Sequence, residues 1–408
     1  MAIPTSPGKA ICEEPRRRRI ALLLGQDLAY CRGVMLGAQN FALEKAEWVF
    51  RDAPPEDGTL EPLREWKPHG IIAHLFSEEV ARALARLRIP VINVTSTLAW
   101  WTGPLVEVDH LKVGQLAAEH FLARGFRSFG YFGSAWTGFS RQREQGFRER
   151  VQQEGFQVSS CYADYLPRAP LSASWRGVDR TIARWLEGLP KPVAVFASND
   201  IPARDLADTC RQLALRIPEQ VALLGVDNDE LECRLTYPPL SSVENPAQRI
   251  GYEAARLLDA LMNGRKPASV HISVPPARVV TRQSSDTLAI EDDDVSRTLT
   301  YIRAHAHADG LSVQTVADVA AVSRRMLERK FRSLLGRTVL QEIRRVKIER
   351  VQQLLLETAL PMPEIARRSG FSSPQRMAVV FAQITGEAPT DYRTRSRLAG
   401  GAPAKTQR

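Results

Sequence analysis

Val316-Ala317-Asp318-Val319-Ala320-Ala321-Val322-Ser323-Arg324-Arg325-Met326-Leu327 reads as a short helix, a turn, and a second helix capped by Ser323. The same plan recurs further along. Pro363-Glu364-Ile365-Ala366-Arg367-Arg368-Ser369-Gly370-Phe371 is followed by Ser373-Pro374, an N-cap with proline at the first helical position. Between the two, Ile343, Val346, Val351, Leu354 and Leu355 stand near helical spacing, which predicts one long helix over 339–357 holding both units in register. A bihelical unit of this kind carries its second helix rigidly enough to enter a major groove. Two in one chain can address two successive grooves on one DNA face. The residues placed to touch DNA are Ser323, Arg324, Arg325 and Arg329 in the first unit, and Ser372, Ser373, Gln375 and Arg376 in the second.

The charge distribution points the same way. The chain carries +9 overall, yet residues 297–408 hold 20 Lys/Arg against 9 Asp/Glu while residues 1–296 hold 35 against 37. All the excess positive charge therefore sits with the helix-turn-helix pattern, as phosphate neutralisation requires.

At 408 residues, 44% of them hydrophobic, the chain is long enough for two or three domains with full cores. No apolar run approaches the roughly 20 residues of a membrane span. The basic run Arg16 to Arg19 reads as a solvated tail, and Ile20 to Leu24 is too short for a signal core. The five cysteines are scattered without a C-x-x-C pair, which fits a reducing cytoplasm and argues against a zinc site. No metal and no cofactor are expected.

From residue 20 short apolar runs alternate with helical patterns. Residues 20–25, 70–76, 91–94, 128–133, 193–197 and 221–226 read as strands, and 32–45, 79–88, 111–124 and 203–213 as helices. Strands without internal alternation imply parallel sheets covered on both faces. The stretch exceeds one ordinary doubly wound sheet, so two α/β lobes are expected. Ligands bind such sheets at the carboxyl ends of the strands. There stand Asp109, Asn199, Asp200 and Asp227, with Arg143 nearby. Converging carboxylates, amides and a guanidinium suit a polyhydroxylated ligand, because each hydroxyl needs a donor and an acceptor. Trp100, Trp101 and Trp136 lie in loops from which they can stack on a sugar ring.

Residues 20–285 resemble the LacI-type, periplasmic-binding-protein-like sensor. The match rests on Asp109 with the helix to Gly125, on Arg143-x-x-Gly146-Phe147, on Asn199-Asp200 and on Gly225-Val226-Asp227-Asn228. Residues 297–395 resemble an AraC/XylS-type DNA-binding domain through Ser323, Phe331, Gly336, Leu354-Leu355, Ile365-Ala366, Gly370-Phe371, Phe381, Gly386, Pro389 and Tyr392-Arg393. LacI-type chains carry their helix-turn-helix before the sensor. No such pattern stands before residue 20 here, so DNA binding is expected at the other end. That order resembles the xylose-responsive activators of the XylR type. The expected domains are a tail (1–19), a sugar sensor (20–285), an acidic solvated linker around Glu291-Asp292-Asp293-Asp294 (286–296), a DNA-binding domain (297–395) and a second tail (396–408).

The resemblance implies a cytoplasmic, homodimeric regulator that binds a DNA operator and a pentose such as xylose and works with RNA polymerase. Control of another sugar, repression, or a sensor serving only dimerisation are the alternatives within DNA binding. A sugar-processing enzyme with an appended DNA-binding domain is the alternative from another class, since paired carboxylates can hydrolyse a glycosidic bond. Two departures from the AraC pattern bear on mechanism. Ala321 stands where the turn of the first unit usually has glycine, and Ala costs about 1 kcal/mol if the backbone there is left-handed. In the second unit Met377-Ala378-Val379-Val380-Phe381-Ala382 offers no side-chain donors. Most base readout is accordingly expected from the first unit, with phosphate contacts and shape from the second.

Overall fold

The structure, a computed structural model, describes residues 17–45, 47–163, 180–287, 289, 292–307, 310–358 and 360–399. It divides into two units, residues 1–287 and 288–408. The first runs β1 (Arg18–Leu23), α1 (Ala29–Lys45), β2 (Trp48–Ala53), α2 (Leu60–Trp66), β3 (Gly70–Ala73), α3 (Glu78–Ala85), β4 (Val91–Asn93), β5 (Leu105–Val108) and α4 (His110–Leu122). It continues through β6 (Ser128–Gly133), α5 (Gly138–Gln153), β7 (Val158–Tyr162), α6 (Arg180–Gly188), β8 (Val193–Ala197), α7 (Asp200–Gln212) and β9 (Val221–Val226). The last elements are α8 (Glu230–Leu235), β10 (Ser241–Val243), α9 (Ala247–Met262), β11 (His271–Val274) and β12 (Val279–Val280).

These strands form two six-stranded sheets, ordered β11-β5-β4-β3-β1-β2 and β12-β10-β9-β8-β6-β7. The expected two-lobed, parallel α/β architecture is present, with one exception: β12 runs antiparallel to β10. The chain crosses between lobes after β5, after β10 and after β11, so three short connections form the hinge. Strands such as β8 and β9 are buried at every residue, which explains their unbroken apolar sequences.

Each lobe contains one close helix crossing. A Cβ on Gly37 of α1 would lie 1.9 Å from the Gln248 carbonyl of α9, and one on Gly251 2.0 Å from Val34. In the other lobe a Cβ on Gly114 of α4 would lie 2.1 Å from the Arg143 carbonyl of α5, and one on Gly146 2.1 Å from Leu111. Any side chain at these positions forces the helices apart.

The second unit is helical: α10 (Asp293–His305), α11 (Val313–Ala320), α12 (Arg324–Leu335), α13 (Val339–Glu357), α14 (Met362–Arg368), α15 (Pro374–Thr385) and α16 (Pro389–Ala399). α13 begins with a capping box between Thr338 and Gln341. Its first half gives Val339, Ile343 and Val346 to a core shared with α10, α11 and α12. Its second half gives Ile348, Val351, Leu354 and Leu355 to a core with α14 and α15. The buried Glu342 holds Arg337 and Arg345 at the seam.

Several boundaries differ from expectation. Arg18 and Arg19 are strand residues, and Arg18 reaches Asn263 and Asp259 instead of standing in a solvated tail. The acidic run is structural where described. Asp292 caps α10 by accepting from the Asp294 and Val295 amides, and Asp292 and Asp294 each hold Lys330 of α12 at 2.7 Å. α16 continues to Ala399, past the expected end at 395. The rest of the expected tails (1–16 and 400–408) and Leu288, Ile290 and Glu291 of the expected linker lie outside the described residues.

Candidate ligand cleft and nucleic-acid interface

Arg143 is the centre of the cleft. It stands on α5, not on a loop or strand end, and the Gly114–Gly146 crossing fixes its backbone against α4. The residue is 2% exposed. Nε donates to His110 Nδ1 at 3.2 Å, one terminal nitrogen donates to the Ser198 carbonyl at the end of β8, and the other lies 3.8 Å from Asp227 Oδ1. Because Nδ1 of His110 accepts from Arg143, its Nε2 carries the proton and donates to Glu107 at 2.9 Å. Burial, aided by Arg143 and opposed by Glu107, pushes the His110 pKa down, so this imidazole is neutral.

Asp227 follows β9 with φ of +108°, a strained backbone that aims its carboxylate into the cleft. It accepts from Asn199 at 2.6 Å and Asn245 at 2.7 Å. Asn199 occupies the N-cap of α7 without capping it; its amide is diverted to Asp227. Tyr30, in the first turn of α1, donates to the Val94 carbonyl at 2.6 Å. Burial and then the neighbouring Cys31, Glu107 and Asp227 raise its pKa. Glu107, His110, Arg143, Asp227, Asn199 and Asn245 thus make one polar network drawing on both sheets.

The sequence-predicted cleft residues separate into two groups. Arg143, Asn199 and Asp227 come together. Asp200 stands apart from them: it is buried, one oxygen accepts from Ser242 at 2.6 Å, and the other accepts from the Asp229 amide at 2.8 Å. Burial and then Asp227 raise its pKa. Asp109 sits at the first hinge connection as N-cap of α4, and Lys112 takes both its oxygens. Trp136 follows β6 and is 77% exposed. Trp101 is a core residue bonded to the Pro104 carbonyl, and Trp100 lies against Arg82. Sequence reading missed Tyr30, Glu107, His110 and Asn245. Two carried a signal: Glu107 is the lone charge in the apolar run of β5, and Asn245 is a polar residue just past β10.

On the second unit, α12 buries Leu327, Phe331 and Leu335. Its opposite face exposes Arg324, Arg325, Met326, Arg329, Arg332 and Ser333. Arg332 was missed, although it continues the stripe set by Arg325 and Arg329 at helical spacing. Ser323 caps α12 through the Met326 amide, and Ser373 caps α15 through the Arg376 amide. On α15, Met377, Val380 and Phe381 are buried. Half of the donor-poor stretch is therefore core. Gln375, Arg376, Val379, Ala382 and Gln383 form the exposed face, and Ser372 is exposed beside it.

A two-lobed α/β unit with a polar cleft, followed by two helix-turn-helix units exposing arginines, defines a ligand-responsive DNA-binding transcription regulator. Residues 118–285 match the periplasmic binding protein-like domain family, and residues 316–395 match a helix-turn-helix domain family. The chain is 30% identical to the xylose operon regulatory protein of Escherichia coli K12 over 93% of this chain and 97% of that one. It is 28% identical to that of Haemophilus influenzae over 92% and 98%. The chain belongs to the family of xylose operon regulatory proteins. Among solved structures, a xylose-binding transcription activator, xylR, matches with TM-score 0.77 and 28% identity over 93% of this chain and 98% of that one. A transcriptional regulator in complex with cellobiose shares the sensor fold, with TM-score 0.55 and 22% identity over 67% and 86%.

Proposed function

We propose that this chain is a cytoplasmic, homodimeric activator that binds xylose or a closely similar pentose in the cleft and works with RNA polymerase at its operator. The observation that carries the reading is the Asp227 carboxylate held between the Asn199 and Asn245 amides beside Arg143. This offers the alternating acceptors and donors that sugar hydroxyls require. Trp136 supplies an aromatic face at the same strand ends, and Tyr30 and Glu107 complete the wall. Asp109 and Asp200 serve as hinge cap and scaffold. The relatives' names support xylose and activation. Sugar binding closes the lobes across the three hinge connections and changes the spacing of the DNA-binding units in the dimer. The sugar shifts that equilibrium only by its differential affinity for the two states.

Calorimetry with D-xylose, L-arabinose and D-glucose tests the reading. D-xylose should bind, and Asp227→Ala should weaken it roughly tenfold or more, because charged hydrogen bonds are worth about 1.5–3 kcal/mol each. DNA affinity without sugar should be unchanged. Unaltered affinity in that variant removes Asp227 from the site; binding of another sugar alone reassigns the inducer. Release of free sugar from a pentoside would favour an enzyme instead.

A further inference from the structure

The two recognition helices match position for position at an offset of 50 residues. Ser323 and Ser373 are the N-caps, Leu327 and Met377 as well as Phe331 and Phe381 are buried, and Gly336 and Gly386 end the helices in left-handed conformation. The outward stripe is Arg325, Arg329, Arg332 and Ser333 on α12. On α15 it is Gln375, Val379, Ala382 and Gln383. Three arginines are replaced by an amide, a β-branched hydrocarbon and a methyl group. Val379 stands at the middle of that stripe and is 58% exposed.

In the major groove, arginine pairs with the O6 and N7 acceptors of guanine, glutamine pairs with N6 and N7 of adenine, and apolar groups contact the 5-methyl of thymine. We propose that the second unit reads A·T pairs, with Val379 and Ala382 against thymine methyls and Gln375 on adenine, while α12 reads guanines. This rests on the DNA-binding reading and replaces the expectation that the second unit reads bases weakly. A composite operator follows: a guanine-bearing block met by α12, and an A·T block about 10 base pairs away met by α15. Arg376, at the N-terminal end of α15, takes a flanking phosphate beside the helix N-terminus.

The test uses the full-length protein and two randomised duplex pools, one made with thymidine and one with deoxyuridine, which differ only in the 5-methyl group. Selection and sequencing should return both blocks from the thymidine pool. From the deoxyuridine pool the guanine block should persist and the A·T block should weaken by about fourfold per lost methyl. Val379→Ala in the thymidine pool should weaken the A·T block in the same way, and its exposed position leaves the fold intact. Identical A·T blocks from both pools would overturn thymine-methyl readout. A single guanine block in both pools, unaffected by Val379→Ala, would overturn the proposal and assign the apolar face of α15 elsewhere. No enrichment from the thymidine pool would remove the DNA-binding reading itself.

Discussion

The sensor cleft and the arginine-bearing face of α12 are both rich in charge, but they hold it in opposite ways. In the cleft Arg143, Glu107, His110 and Asp227 are buried or nearly so and satisfy one another. On α12, Arg324, Arg325 and Arg332 stand exposed without an ion pair among the described residues, and Arg329 donates to the Met326 sulfur. The difference follows from the partners. A neutral sugar must exchange its hydrogen bonds for ones already formed inside the cleft, so affinity is a small difference between two satisfied states. DNA brings a dense row of fixed negative charges, so unpaired cations that release counterions on contact are worth more.

The largest expected effect of that contrast is on salt dependence. Four phosphate contacts across the two helix-turn-helix units would give log K a slope near −3.6 against log salt, so raising NaCl from 50 to 200 mM should weaken DNA binding on the order of 10²-fold. Sugar affinity should change less than about twofold, because the cleft charges are paired and screened poorly by salt. Measuring both on one preparation breaks the comparison if the two affinities fall together. Arg325→Ala sharpens it. Equal losses on specific and random DNA make Arg325 a phosphate contact, whereas loss of preference at one base pair makes it a reader.

A middle-sized effect concerns pH. His120 is buried in α4, accepts from Arg124 at Nδ1 and donates to Ser285 at 2.8 Å. Burial and then Arg124 lower its pKa from 6.5 to about 3. The folded state therefore stays neutral where the unfolded chain takes up a proton. The stabilisation is fully present above about pH 6.5 and is lost as pH falls from there towards 3. Between pH 7.5 and 5 the wild type should lose about 2 kcal/mol that His120→Gln does not lose. All seven tryptophans lie within residues 48–185, so their fluorescence follows the sensor alone. Equal acid sensitivity in wild type and variant would show that His120 does not set it. A buried, paired group of the sensor, unlike an exposed arginine, thus couples stability to protons.

The same contrast explains what the sequence disclosed. The strands at 128–133, 193–197 and 221–226 stand where their unbroken apolar runs put them, because both faces are covered. β2 escaped notice because it is an edge strand whose Trp48, Phe50 and Ala53 are only half-buried. α5 escaped for a different reason. Its buried face is Gly138, Ser140, Arg143, Glu144 and Gly146 before Phe147 and Val151, so the helix that carries the central site residue shows an apolar stripe only in its last turns. The exposed arginine face of α12 needed only helix periodicity and charge, so the exposure of Arg324, Arg325 and Arg329 was legible. Asp200 and Asp109 mark where the sequence stops short, because a strand-end or helix-start carboxylate looks the same whether it meets a ligand, a serine hydroxyl or a helix amide.

The smallest expected effect lies in the turns of the two helix-turn-helix units. In the second unit the left-handed position is Gly370, with φ of +68°. In the first it is Ala321, with φ of +56° and ψ of +33°, which is the strained conformation that its place in the sequence predicted. An alanine Cβ there crowds the following carbonyl, a penalty of about 1–2 kcal/mol, part of which glycine gives back through its greater freedom in the unfolded chain. Ala321→Gly should therefore stabilise the first unit by about 1 kcal/mol. Ala321 is exposed, so no packing is lost. Chemical denaturation followed by far-ultraviolet circular dichroism should show a higher midpoint for the helical unit, with the tryptophan transition of the sensor unmoved. If the helical transition stays in place or falls, the alanine is held without strain, and the first turn gives up nothing by lacking the glycine found in the second.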